Sequence, residues 1–168
     1  MLPCEISIFE KDIMNRREST YLQSRLFVGD LREGNYKVSS NPFSVHRMDY
    51  EVSCGHDANG EPFGSTSSTM NLTIALGERS NARLFLEKMN ENEPSAFSVV
   101  FGGDVEDGEL TNFRNLIVFW AFVVEAEESF TVIDEDKSNT FLNIRMLLHE
   151  IIYVGRENNT VKVLEIQQ

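Results

Sequence analysis

The chain has 168 residues, enough for one hydrophobic core and too few for two ordinary domains. Hydrophobic residues at 41% and charged residues at 25%, with twelve Phe to pack, exclude a disordered chain. A formal net charge of −12 without a cluster of Lys and Arg excludes a binder of nucleic acid or of anionic membrane, and assigns most of the acidic residues to a solvated surface.

The chain divides into an N-terminal arm, residues 1–23, and a single domain, residues 24–168. In the arm Ile6, Phe9 and Ile13 fall at near-helical spacing ahead of the polar run Asn15-Arg16-Arg17-Glu18-Ser19-Thr20, the pattern of a short amphipathic or frayed segment. An unstructured leader, or a true start at Met14, fits the same residues. Met1-Leu2-Pro3-Cys4-Glu5 offers neither a basic n-region nor an apolar h-region, so no Sec-type signal peptide is expected. The longest apolar run, Leu116 to Val124, is about half the length that spans a bilayer. Folding in the cytoplasm follows, with Cys4 and Cys54 as free thiols.

From Ser24 the period changes to two. Met48, Tyr50, Val52 and Cys54 alternate with Arg47, Asp49, Glu51 and Ser53, whereas Phe43 and Val45 have the opposite parity, so a bulge is expected near Val45-His46. Met70, Leu72, Ile74 and Leu76 form a second half-buried strand, and Phe97, Val99 and Phe101 a third. Between them Ala82, Phe85, Leu86 and Met89 have helical spacing, capped by Ser80 or Asn81 and stopped by Asn90 to Pro94.

Leu116 to Val124 is apolar on both parities. Its β-branched and aromatic content predicts a strand covered on both faces, the second by the helix or by a neighbouring subunit. Glu125 to Glu128 and Asp134 to Asn139 bracket a short strand at Phe130 to Ile133. Leu142, Ile144, Met146 and Leu148 alternate in the next strand, which Ile151 to Val154 continue past a break, and a turn at Gly155 to Asn159 leads to a last strand at Val161 to Ile166. The expected fold is mainly β, an antiparallel β-barrel with one α-helix.

Chemistry is sparse. His46, His56 and His149 have no metal-site spacing, and neither a nucleophile elbow nor a phosphate-binding loop is present, so no catalytic residue, metal or cofactor is assigned. Glu127 and Glu128 are neighbours in a strand and point apart. Asp57-Ala58-Asn59-Gly60 opens like a calcium loop but lacks the later acidic ligand. It reads as a turn, with Asp57 and Asn59 bonding to backbone and Gly60 at positive φ.

Four segments in order carry a resemblance. Tyr50-Glu51-Val52-Ser53-Cys54, Asp57-Ala58-Asn59-Gly60-Glu61-Pro62 and Met70-Asn71-Leu72-Thr73-Ile74, followed by the helix and by Ala121-Phe122-Val123-Val124 with Glu128-Ser129-Phe130, resemble the Hcp (hemolysin-coregulated protein, TssD) family of Bacteroidetes over residues 24 to 154. The resemblance implies a tail-tube-like barrel, hexameric rings that stack into the inner tube of type VI secretion, partners among sheath, tip and effector proteins, and export without a Sec signal. Glu61, where related proteins often carry a basic residue, and Phe63 to Ser68, in place of a more Gly-rich approach, depart from the pattern and bear on stacking more than on the barrel. Subunit contacts are expected from Asp57, Asn59, Gly60, Glu61, Pro62 and Phe63 in the loop from Gly55 to Ser65, and from Trp120, for which plain core packing is an equal reading. A non-polymerising Hcp-like adaptor, a phage-tail-like protein and a monomeric barrel that binds a small apolar ligand are the other readings; an enzyme is not expected.

Overall fold

The computed structural model describes residues 24–38, 42–76, 82–134, 137–155 and 160–165, so the N-terminal arm and the helix cap expected at Ser80 or Asn81 lie outside the described residues. The elements run β1 (Ser24–Val28), β2 (Phe43–His56), β3 (Pro62–Leu76), α1 (Arg83–Lys88), β4 (Ser95–Glu106), β5 (Glu109–Asp134), β6 (Lys137–Val154) and β7 (Thr160–Glu165). All strand pairings are antiparallel. The order β3-β2-β1-β4-β5-β6 closes on itself through β3 and β6, which makes a six-stranded barrel, and β7 adds to β6 outside the closure.

Alternation decides what fills the barrel. Met70, Leu72 and Ile74 from β3, Phe97 and Val99 from β4, Phe119 from β5, and Leu142, Ile144 and Met146 from β6 are all buried in one cluster. The ring of Phe85 from α1 closes this core at the end where β3 finishes. It meets Phe43 edge-on at 5.3 Å and stacks on Phe97 at 6.2 Å, which stacks on Phe119 at 5.4 Å. The bulge expected near Val45-His46 is present: the register with β3 shifts between Val45 and Arg47, and Phe43, Val45 and Met48 all pack against the core.

The helix differs from its expected face. Ala82 and Phe85 are buried, but Leu86 and Met89 are exposed. A six-residue helix lying across the barrel mouth presents only one narrow side to it, which Ala82, Leu84 and Phe85 occupy.

The second face of β5 is covered by the chain itself at Leu116 and Val118, while Phe122 is half-buried and Val124 exposed. Leu116 and Val118 pack with Phe27, Leu31, Val100, Leu110, Ile152 and Val154 beneath a strap formed by residues 29–38. The fully buried Ser98 ties the strap down, its hydroxyl donating to the Gly29 carbonyl at 2.7 Å and accepting from the Leu31 N–H at 3.1 Å. At the far end Val38 N–H donates to Gly108 O and Leu110 N–H to Tyr36 O.

Two more expectations are corrected. The short strand at Phe130 to Ile133 is the end of a continuous 26-residue β5, because Glu125 to Glu128 stay paired with Arg145 to Leu142 of β6 instead of forming a strand end. The break before Ile151 is a bulge: Trp120 pairs with Glu150 and Ala121 with Leu148, leaving His149 as the extra residue.

Phe119→Ala is expected to lower unfolding free energy by about 3–5 kcal/mol, whereas Phe130→Ala, at a residue 63% exposed, changes it by under about 0.5 kcal/mol. Urea denaturation of the two variants checks this.

Candidate assembly interface

The expected loop from Gly55 to Ser65 contracts to a turn at residues 57–61 on the tip of the β2–β3 hairpin. Pro62 and Phe63 belong to β3, where their backbones pair with His56 and Gly55. Asp57 organises the turn. Its Oδ1 accepts from Asn59 N–H at 2.9 Å and Glu61 N–H at 3.0 Å, and Gly60 sits at φ 79°, so the Asp57 and Gly60 expectations hold while Asn59 contributes its backbone N–H. The hairpin leaves the barrel as a ribbon: Tyr50 and Val52, on the parity expected to be covered, are exposed together with the rest of residues 49–53 and 55–61.

Trp120 lies elsewhere, partly buried against the cluster beneath the strap. The Arg32 guanidinium lies 6.0 Å from the Trp120 ring centroid. It is held by a two-point ion pair to Asp30, Nη2 to Oδ2 at 2.9 Å and Nε to Oδ1 at 3.1 Å. That hydrogen bonding outweighs the burial opposing it and keeps Arg32 more firmly protonated than ordinary arginine. The structure therefore does not bring Trp120 together with the Asp57 turn.

What sequence reasoning missed is an arrangement of strand edges. β1 pairs with β2 only at Ser44 and Phe43, so from Val45 to Ser53 no described strand lies on that side of β2. β4 ends its pairing with β5 at Ala121, so from Phe122 to Phe130 β5 has β6 on one side and no described strand on the other. β2, β3, β6 and β5 thus form a four-stranded sheet that, among the described residues, has an open edge on each side. Edge positions depend on long-range pairing, and only the both-parity apolar run and the charged residues after it hinted at them.

The outer face of this sheet is polar and ordered in rows. Arg47, Thr73, Asn143 and Glu127 share one row, and Asp49, Asn71, Arg145 and Glu125 the next. Thr73 donates to Asn143 at 2.8 Å, Asn71 to Asp49 at 3.2 Å, and Arg47 pairs with Asp49 at 3.1 Å. These side chains line a shallow groove of about 410 Å³. Beside it Leu147 and Val124 are exposed. Among the described residues no cluster of His, Cys, Asp and Glu is arranged to hold a metal.

No protein-family model matches the chain, and no curated protein matches it by sequence. Solved structures do. An Hcp protein superposes with a TM-score of 0.59 at 11% identity, covering 87% of this chain and 98% of its own. A mutant of Hcp1 from the E. coli EAEC 042 pathovar gives 0.55 at 12%, covering 84% and 97%, and Hcp1 from Flavobacterium johnsoniae gives 0.53 at 16%, covering 83% and 98%. The fold defines an antiparallel β-barrel protein, with one short helix among the described residues. It is the fold of the Hcp proteins, as the resemblance in the sequence implied.

Trp120→Ala is expected to destabilise the chain by about 2–3 kcal/mol, below the range for a fully buried aromatic because the ring is partly exposed. Thermal unfolding of the variant checks this, and an unchanged midpoint contradicts the packing described.

Proposed function

We propose that the protein is a structural, ring-forming subunit of the inner tube of a type VI-like contractile secretion machine, and not a catalyst. The observation that carries this function is the four-stranded sheet open at both edges, set in a barrel with the Hcp fold. Unpaired backbone N–H and C=O groups along a strand edge attract another strand, and soluble proteins normally cover or interrupt such edges. Here they run from Val45 to Ser53 and from Phe122 to Phe130, beside exposed Tyr50, Val52 and Val124.

The strand count makes the two edges compatible. Each of the pairs β2–β3, β3–β6 and β6–β5 is antiparallel, so β5 runs opposite to β2. A copy rotated about an axis near the strand direction brings its β2 alongside β5 of its neighbour, antiparallel and with the same face toward the axis. That contact is heterologous, and it closes into a ring if the rotation per copy divides a full turn. Six copies, the order implied by the resemblance, is the proposed closure. The polar rows then face one side of the ring, where an effector fits if the tube carries cargo.

Stacking of rings engages the hairpin tip at Asp57 to Glu61 with the β3 residues Pro62 and Phe63, together with sheath and tip proteins as partners. Export proceeds through the machine itself. Trp120 acts beneath the strap of its own chain, so its part in the contact is to hold β5 straight up to the open edge. A barrel that binds a small apolar ligand is disfavoured by the core, since Phe85, Phe97, Phe119 and the alternating aliphatic side chains fill the interior.

Electron microscopy and mass measurement of the purified full chain are expected to show closed rings of a single order. A strict monomer at every concentration and salt tested excludes the function.

A further inference from the structure

We infer that closure of the ring is gated by ionic strength, through like charge across the seam between copies; this rests on the ring-forming function proposed above. The two open edges are acidic on both sides. β5 contributes Glu125, Glu127 and Glu128, and β2 contributes Asp49 and Glu51, all exposed, against one cation, Arg47. Arg47 is already engaged with Asp49 of its own strand at 3.1 Å.

The imbalance is present wherever these two segments overlap. Asp49 and Glu51 share the outer face with Glu125 and Glu127, so where the two segments overlap fully four carboxylates meet the single cation Arg47, and Glu128 adds a fifth charge on the other face. Arg145, one strand inward and in register with Glu125, brings the count on that face only to four against two. Directly opposed side chains in an antiparallel pair lie about 4.5–5.5 Å apart at Cβ, and like charges there oppose pairing. A closed ring repeats the repulsion at each seam, on subunits that already carry a net charge of −12.

Salt acts on this distance directly. The screening length falls from roughly 10 Å at 0.1 M to roughly 3 Å at 1 M, so the cross-strand repulsion is felt at low salt and largely removed at high salt. The backbone hydrogen bonds of the seam and the burial of Tyr50, Val52 and Val124 are affected far less. Subunits therefore stay apart in dilute electrolyte and assemble when the charge is screened or met by a cationic surface.

Sedimentation of the full chain across a concentration series, in about 50 mM and about 1 M NaCl, tests this. Half-assembly is expected at a protein concentration roughly tenfold lower in the higher salt. The variant Glu125→Gln/Glu127→Gln/Glu128→Gln, altered only at exposed positions, is expected to assemble in low salt as the parent does in high salt. Asp104→Asn/Glu106→Gln/Asp107→Asn, which removes the same charge at the β4–β5 hairpin tip, is expected to keep the parent's salt dependence.

Rings that form equally well at both salts overturn the gate while leaving the ring intact. Equal shifts from the two triple variants also overturn it, because net charge and not the seam is then responsible. A chain that stays monomeric in all conditions overturns the gate and the ring together.

Discussion

The structure depends on β6 and on the two partners it takes along one side. β6 pairs with β5 from Asp134 to Leu116, and on its other side with β3 through Leu147 and then with β7 from Glu150 onward. The first of these closes the barrel; the second ends the closure. The bulged His149 falls at the switch and turns the strand from one partner toward the other. Because β3 leaves β6 there, the β2–β3 hairpin continues alone beyond the barrel. At the opposite end β5 and β6 outrun β4, which leaves the β5 edge without a described strand beyond Ala121, while the β2 edge is left because β1 pairs with β2 only at Phe43 and Ser44.

This arrangement separates what stabilises the chain from the surfaces that the proposed ring uses. The interior is packed by alternating side chains from four long strands and capped by Phe85. The outer face near Leu116 and Val118 is sealed by the strap, which Ser98 holds in place and within which Asp30 pairs with Arg32. Those apolar faces are satisfied within one chain. The sheet edges and the exposed Tyr50, Val52 and Val124 are the features on which the proposed ring rests.

Much of the barrel was legible in the sequence, for identifiable reasons. Met70, Leu72 and Ile74 alternate without interruption, and the parity change between Val45 and Met48 marked a bulge that the register confirms. The doubly apolar run around Phe119 announced a strand covered on both faces, but periodicity carries no information about the cover, and the strap at residues 29–38 was not foreseen. Glu125 to Glu128 read as a strand end because acidic residues usually mark one, yet exposed residues of a long hairpin are equally free to be acidic. Leu86 and Met89 fit a helical stripe and still face water, since a helix this short touches the barrel through a single turn. In the candidate interface the Asp57 turn was readable from local chemistry, whereas the open edges arise from which strands stop pairing, a property that no local pattern encodes.

In the proposed ring the free edges of β2 and β5 close against each other between copies. Amide hydrogen exchange on assembled particles and on dissociated subunits measures this directly, because a backbone N–H that gains a partner strand exchanges more slowly. Protection is expected to rise on assembly across residues 47–52 of β2 and 125–130 of β5, with the strap and the buried core strands unchanged. Particles whose edge amides exchange as fast as those of the free subunit would contradict it.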